Sequence, residues 1–297
     1  MEAIRSGGTA ETVAFMRALH LLVDDDPKIL EDPLASTFLD SGRAAALQTT
    51  PQAYRTSESC AFRAIFVVRQ RYAEDQLADA MVRGVRQYVI LGAGLDSLAY
   101  RRRDWQKTLQ IYEVDRPEVQ QWKRQRLAEL GIKVPKNLTF VPLDLETGSL
   151  SEALAASPHR RDEPTFYSWL GVTQYLSEGA VFETLRSVSS LSSSGSEIVF
   201  QIMLPRSGLN ARDAEIVTTA SQFAARRGEH WRTFLDPLSL ESRLREMGFT
   251  EVLHFGAGEA SIRYLQGRSD GLWLPNAFDL ITARTGPDIG RFDRKSG

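Results

Sequence analysis

Short runs of β-branched and aromatic residues, alternating with helical patterns, constrain this chain more than any other feature. Residues 87–91, 109–114, 138–143, 165–169 and 197–202 read as buried strands. Helical patterns over 117–130, 150–156 and 178–191 separate them. Such alternation requires crossover connections, and crossovers lay the strands parallel with helices on the two faces. The expected fold class is α/β, a doubly wound sheet. A helix over 238–247, stopped by Gly248, and strands over 250–255 and 277–283 complete it.

The first third of the chain has a different rhythm. Val13, Phe15, Met16, Leu19 and Leu22 recur at three- and four-residue spacings, which predicts an amphipathic helix with Thr9 as its cap. Asp32 followed by Pro33 predicts a second short helix over 32–39. Residues 59–83 lack Gly and Pro and predict one long helix or two joined ones. Residues 1–84 are thus expected to form a helical region packed on a core of 85–285. Residues 206–232 interrupt the core with a mostly polar helical segment, 211–226. An insertion beyond a strand's carboxyl end is placed to act as a lid, although a purely structural helix pair fits equally well. The polar tail 286–297 is expected to be disordered.

With 297 residues, 42% of them hydrophobic and 25% charged, the chain can bury one large core. A net charge of -2 points to no polyanion. The clusters Arg101-Arg102-Arg103 and Arg226-Arg227 lack interleaved aromatics, so they read as solvated faces and no nucleic-acid partner is expected. Cys60 is the single cysteine, which excludes an internal disulfide and any metal site built from several thiolates. No metal is expected, and a reducing compartment, the cytoplasm, fits best. The N-terminus has no signal-like apolar core, and no stretch approaches the ~20 apolar residues of a membrane span, so no membrane association is expected.

Chemistry is suggested first by Leu91-Gly92-Ala93-Gly94-Leu95-Asp96-Ser97, a glycine turn leaving the first strand. Glycines allow a tight turn and close approach of a ligand to the backbone. The pattern resembles the dinucleotide fingerprint, but Ser97 stands at its third glycine. The second strand ends in Asp115, 21 residues after Gly94, and a carboxylate there is suited to both hydroxyls of an adenosine ribose. Asp144-Leu145 ends the third strand and suits an adenine, the carboxylate taking the exocyclic amine and the leucine covering a ring face. A helix cap and a core leucine would give the same pair. A nucleotide-like cofactor follows, either nicotinamide or S-adenosylmethionine. The chain contains no Tyr-x-x-x-Lys pair, which speaks against a short-chain reductase.

Further blocks narrow the choice: Asp32-Pro33-Leu34-Ala35, Val68-Arg69-Gln70-Arg71-Tyr72-Ala73-Glu74-Asp75, the stretch 84–97, Tyr112-Glu113-Val114-Asp115-Arg116-Pro117 and Trp169-Leu170-Gly171-Val172-Thr173-Gln174-Tyr175-Leu176. In this order and spacing the chain resembles the leucine carboxyl methyltransferase family, in its branch of bacterial small-molecule and polyketide O-methyltransferases. The resemblance runs from Thr9 to about Thr285. It implies a class I methyltransferase-like sheet, mostly parallel with an antiparallel last strand. It also implies S-adenosyl-L-methionine as cofactor and secondary metabolism as the setting. Arg69 matches the arginine that holds the methionyl carboxylate, a role suited to a planar bidentate donor. Gly92, Ala93 and Gly94 match the turn that approaches the methionyl portion, Asp115 the ribose ligand, and Asp144 with Leu145 the adenine contacts. The protein-methylating members carry a glutamate where this chain has Leu170. That departure argues against a protein substrate and for a small-molecule acceptor.

The acceptor is expected to be a carboxylate, which needs no base, or a phenol, which benefits from one. His230 in the insertion is the candidate base, although a surface histidine fits the same position. Arg17 is a candidate partner for an acceptor carboxylate, and Tyr175 a candidate acceptor contact. Two other classes stay open: a nicotinamide-dependent oxidoreductase, and a non-catalytic protein that keeps the fold and its cofactor. The sequence sets no oligomeric state.

Overall fold

The computed structural model describes residues 8–102 and 104–286. The tail expected to be disordered therefore lies, apart from Gly286, outside the described residues. Seven strands form one sheet: β1 Gln87–Leu91, β2 Gln110–Asp115, β3 Leu138–Pro142, β4 Thr165–Trp169, β5 Glu197–Met203, β6 Phe249–Phe255 and β7 Phe278–Thr285. Their order is β3-β2-β1-β4-β5-β7-β6. The first five pair in parallel, whereas β7 runs antiparallel between β5 and β6. β1 and β4 are buried along their whole length, as strands covered by helices on both faces must be.

The helices are α1 Gly8–Val23, α2 Ser41–Thr49, α3 Ser57–Val82, α4 Leu98–Arg101, α5 Pro117–Glu129, α6 Leu150–Ala155, α7 Glu178–Leu191, α8 Ala211–Ala225, α9 Pro237–Glu246 and α10 Ala257–Ala260. Side-chain caps fix several starts: the side chain of Thr56 accepts from Ser59 N at α3, and that of Ser177 from Ala180 N at α7. α3 is one continuous helix, and residues of α1 and α3 share a buried apolar cluster with Tyr88 and Ile90 of β1. The helical insertion is α8, capped by Asn210, whose side chain accepts from Asp213 N. No helix among the described residues is long and apolar enough to cross a membrane.

Two expected caps are corrected. Thr9 lies within α1 rather than ahead of it. The short helix expected over 32–39 is a 3-10 turn, Ala35–Phe38, preceded by Leu34. Asp32 does not cap it, because its buried carboxylate is drawn to Arg17, 3.3 Å away.

At the amino end of β4, His159 is buried, with Nε2 3.1 Å from Thr165 Oγ1 and Nδ1 without a hydrogen-bond partner among the described residues. Burial, reinforced by Arg161, pushes its pKa down from 6.5 to about 4. Unfolding exposes a ring that protonates near 6.5, so this contribution is complete above pH 6.5 and is lost as pH falls towards 4. Between pH 7 and pH 5 it should remove about 2 kcal/mol of stability. Chemical denaturation at the two pH values should show His159→Gln spared most of that loss. Equal acid sensitivity in both proteins would contradict the assignment.

Candidate active site

The strand order reverses between β1 and β4, and an open sheet leaves a crevice at the carboxyl ends of the strands at such a point. A cavity of about 1160 Å³ fills it. One small ligand typically occupies about 300–1000 Å³, so this space suits two ligands side by side. All seven cofactor candidates and all three acceptor candidates expected from the sequence line this cavity.

The floor is the glycine turn. Gly92 and Gly94 have φ values of +67° and +46°, the left-handed region where a side chain is strained. Gly92 and Ala93 donate to Val114 O (2.8 and 3.2 Å), fastening the turn to β2. A Cβ at Gly92 would overlap Val172, so the β4 loop closes directly on the turn. Asp115 ends β2 and accepts from Gly94 N at Oδ2 (2.6 Å) and from Arg116 N at Oδ1 (2.8 Å). Burial raises its pKa and the two N–H groups hold it down. Each oxygen keeps a further lone pair for a ligand hydroxyl.

Asp144 accepts from Glu146 N at Oδ1 (2.8 Å), forming a local turn. The cap of α6 is Ser149 instead, whose Oγ accepts from Glu152 N. This removes the helix-cap alternative for Asp144 and leaves its carboxylate at the cavity wall. Leu145 is buried in the apolar cluster on that side of the sheet and lines the cavity as well.

Arg69 projects from α3 and is only 8% exposed. Its Nη1 donates to Gln201 Oε1 (2.9 Å), and its guanidinium lies 4.8 Å from the centre of the Phe66 ring. Burial, and secondarily Arg17, lower its pKa to about 10. Among the described residues three other buried cations each face a buried carboxylate: Arg17 faces Asp32, Arg63 faces Asp24 and Lys123 faces Glu113. Arg69 faces an amide and no acid. A buried cation without a counter-ion is costly, and a ligand carboxylate would relieve that cost.

The acceptor candidates have different surroundings. Arg17 donates to Leu95 O (2.6 Å) and pairs with Asp32, while its buried Nε has no hydrogen-bond partner among the described residues. Burial raises the pKa of the Tyr175 phenol; Trp231 and Thr9 beside it oppose this and Glu229 adds to it. The phenol is therefore a neutral donor at physiological pH. His230 is exposed at the cavity rim. Among the lining residues that escaped the sequence reading are Gln201, a polar residue in the buried interior of β5, and Glu229, whose Oε2 is buried without a hydrogen-bond partner among the described residues. The signal for Gln201 was its position in 197–202; Glu229 had none beyond adjoining His230.

A sheet with this strand order, a glycine turn after β1 and a carboxylate ending β2 defines a class I methyltransferase fold. A Thermobifida fusca crystal structure described as a "putative methyltransferase" superposes with a TM-score of 0.55 at 15% identity, covering 84% of this chain and 92% of that one. Within the class, the leucine carboxyl methyltransferase family model matches residues 10–189, and the chain belongs to that family. Its relatives include Bacillus subtilis YktD, 29% identical over 72% of this chain and 69% of its own. A Mycobacteroides abscessus protein is 30% identical over 92% of this chain and 89% of its own. Both carry the description "putative S-adenosyl-L-methionine-dependent methyltransferase".

The Gly92–Val172 contact yields a test. Gly92→Ala should cost about 1–3 kcal/mol, from the left-handed φ and the overlap together. Adding Val172→Ala should relieve only the overlap, so the double variant should be more stable than the sum of the single losses. Strictly additive losses in denaturant titrations would show that the two residues do not touch.

Proposed function

We propose that this chain is an S-adenosylmethionine-dependent O-methyltransferase acting on a small-molecule carboxylate or phenol, in secondary metabolism. The observation that carries the proposal is Arg69: a buried guanidinium with no acidic partner among the described residues, lining the same cavity as the glycine turn and Asp115. The descriptions of the relatives support the same cofactor. A nicotinamide site is not favoured, because the antiparallel β7 between β5 and β6 departs from the dinucleotide-binding order 3-2-1-4-5-6.

When bound, S-adenosylmethionine supplies an electrophilic methyl group. Arg69 would hold its methionyl carboxylate, Asp115 its ribose hydroxyls, and Asp144 with Leu145 its adenine. Gly92, Ala93 and Gly94 let the backbone come close without side-chain interference. The remaining space, walled by Val13, Met16, Phe62, Ile216, Val217 and Phe223, is apolar and suits a hydrophobic acceptor. Residues of α8 and the loop after it would exclude water from that chamber. Tyr175 would orient the acceptor oxygen by donating to it, Arg17 would steer an anionic acceptor, and His230 would take the proton of a phenol.

Calorimetry should detect binding of S-adenosylmethionine and S-adenosylhomocysteine but not NAD, and methyl-labelled cofactor should transfer its label to aromatic carboxylate or phenol acceptors. Binding of NAD alone would overturn the proposal. Arg69→Lys should weaken S-adenosylhomocysteine binding about tenfold or more, because a point charge cannot reproduce two parallel hydrogen bonds. Adenosine, which has no carboxylate, should bind the variant as it binds the wild type. Equal losses for the two ligands would remove Arg69 from the carboxylate site.

A further inference from the structure

The arginine assigned to the cofactor must be held in place without being neutralised, and the residues around it meet both demands. Leu170, directly after β4, lines the same cavity and brings no charge. Gly171, at φ +70°, leaves the space into which the guanidinium fits: a Cβ there would overlap Nη1, Nη2 and Cζ. Among the described residues, the one side chain to which Arg69 donates is Gln201, which is 2% exposed on β5. Gln201 is itself fixed. It lies in register with Leu280 of β7, and its main-chain oxygen accepts from Thr173 Oγ1 (2.6 Å) in the turn that carries Tyr175.

We infer that Gln201 is a positioning residue for Arg69, a neutral acceptor that fixes the guanidinium while leaving its full charge for the ligand carboxylate. An amide oxygen takes one N–H in a directed hydrogen bond but carries no net charge. A carboxylate at the same place would take that N–H and neutralise the guanidinium. An incoming carboxylate would then meet a neutral pair and a second anion in a site of low dielectric, where like charges repel strongly. The neutral Gln201 therefore leaves the charge of Arg69 to the cavity. This inference rests on the cofactor reading proposed above.

The test uses near-isosteric changes and two adenosyl ligands, S-adenosylhomocysteine and 5′-methylthioadenosine, which lacks the amino acid portion. Gln201→Glu should weaken S-adenosylhomocysteine binding at least tenfold, as about 1.4 kcal/mol corresponds to tenfold. Binding of 5′-methylthioadenosine should change less than twofold. Gln201→Met, which removes the hydrogen bond but adds no charge, should weaken S-adenosylhomocysteine binding less than Gln201→Glu does. In an Arg69→Met background, Gln201→Met should change S-adenosylhomocysteine affinity less than twofold, because there is no longer a guanidinium to position. The inference is overturned if Gln201→Glu leaves S-adenosylhomocysteine binding unchanged or weakens both ligands alike. It is also overturned if the Gln201→Met effect persists without Arg69. Failure of the wild type to bind either ligand would instead break the functional proposal.

Discussion

Two side chains fill the space that glycines vacate at the carboxyl ends of neighbouring strands: Val172 over Gly92 at the end of β1, and Arg69 over Gly171 at the end of β4. The rest of the site depends on this interlock. Both glycines have positive φ, so each strand can turn sharply away just where a Cβ would block the opposite wall. Val172 presses the β4 loop onto the glycine turn, which is hydrogen-bonded to Val114 and, through Gly94, to Asp115. Arg69 joins the long helix α3 to the same loop. Carboxyl ends of β1, β2 and β4 are thereby held as one rigid rim, and the N-terminal helices become part of the cavity wall.

The electrostatics beneath this rim obey a different rule from those within it. Below Asp115, Lys123 donates to Glu113 (2.7 Å) and to Asp96 O (2.8 Å), both groups being fully buried. Burial pushes the Glu113 pKa up to about 7 against the opposing pull of Lys123. Glu74 pairs with Arg101, and Gln70 bridges Glu74 and Asp96. Each cation here faces a carboxylate of the protein, and the Asp96 carboxylate is held by Gln70 and by Leu98 N. Arg69, next to Gln70 on α3, has no carboxylate partner among the described residues. The local imbalance places the demand for an anion in the cavity instead of the core.

Much of this was legible in the sequence because parallel strands are buried on both faces and read as unbroken apolar runs. β4 and α7 begin and end at the expected residues, and Gly92, Gly94 and Asp115 meet as their spacing implies. The N-terminal region was harder to read, since its local signals yield to tertiary pairing. Asp32 looks like a cap but serves Arg17, and α2, capped by Asp40, was missed because Gly42 and a weak apolar pattern hide it. Side-chain partnership was least legible. Gln201 lies 132 positions from Arg69, and no local pattern links them. A polar residue in a strand destined for burial is the trace such a partnership leaves, because its polar atoms must find partners inside the fold.

The insertion is joined to the rest of the site at both ends. Near its start Arg212 lies 3.5 Å from the centre of the Trp273 ring and donates to Ser57 Oγ (3.0 Å), while Trp273 Nε1 donates to Ser57 O (2.8 Å). Beyond α8, Arg232 N donates to Gln174 O (2.6 Å) and Thr233 Oγ1 to Leu176 O (2.6 Å), residues that flank Tyr175. The apolar chamber is thus walled by α1, α3 and α8, whereas the glycine turn, Asp115 and Asp144 belong to the sheet. Apart from Arg69, the two sets of residues do not overlap. Substitutions on the helical walls can therefore reshape that space while the sheet-borne residues stay in place, and Arg69, which projects from α3 onto Gly171 after β4, is the side chain that spans the two.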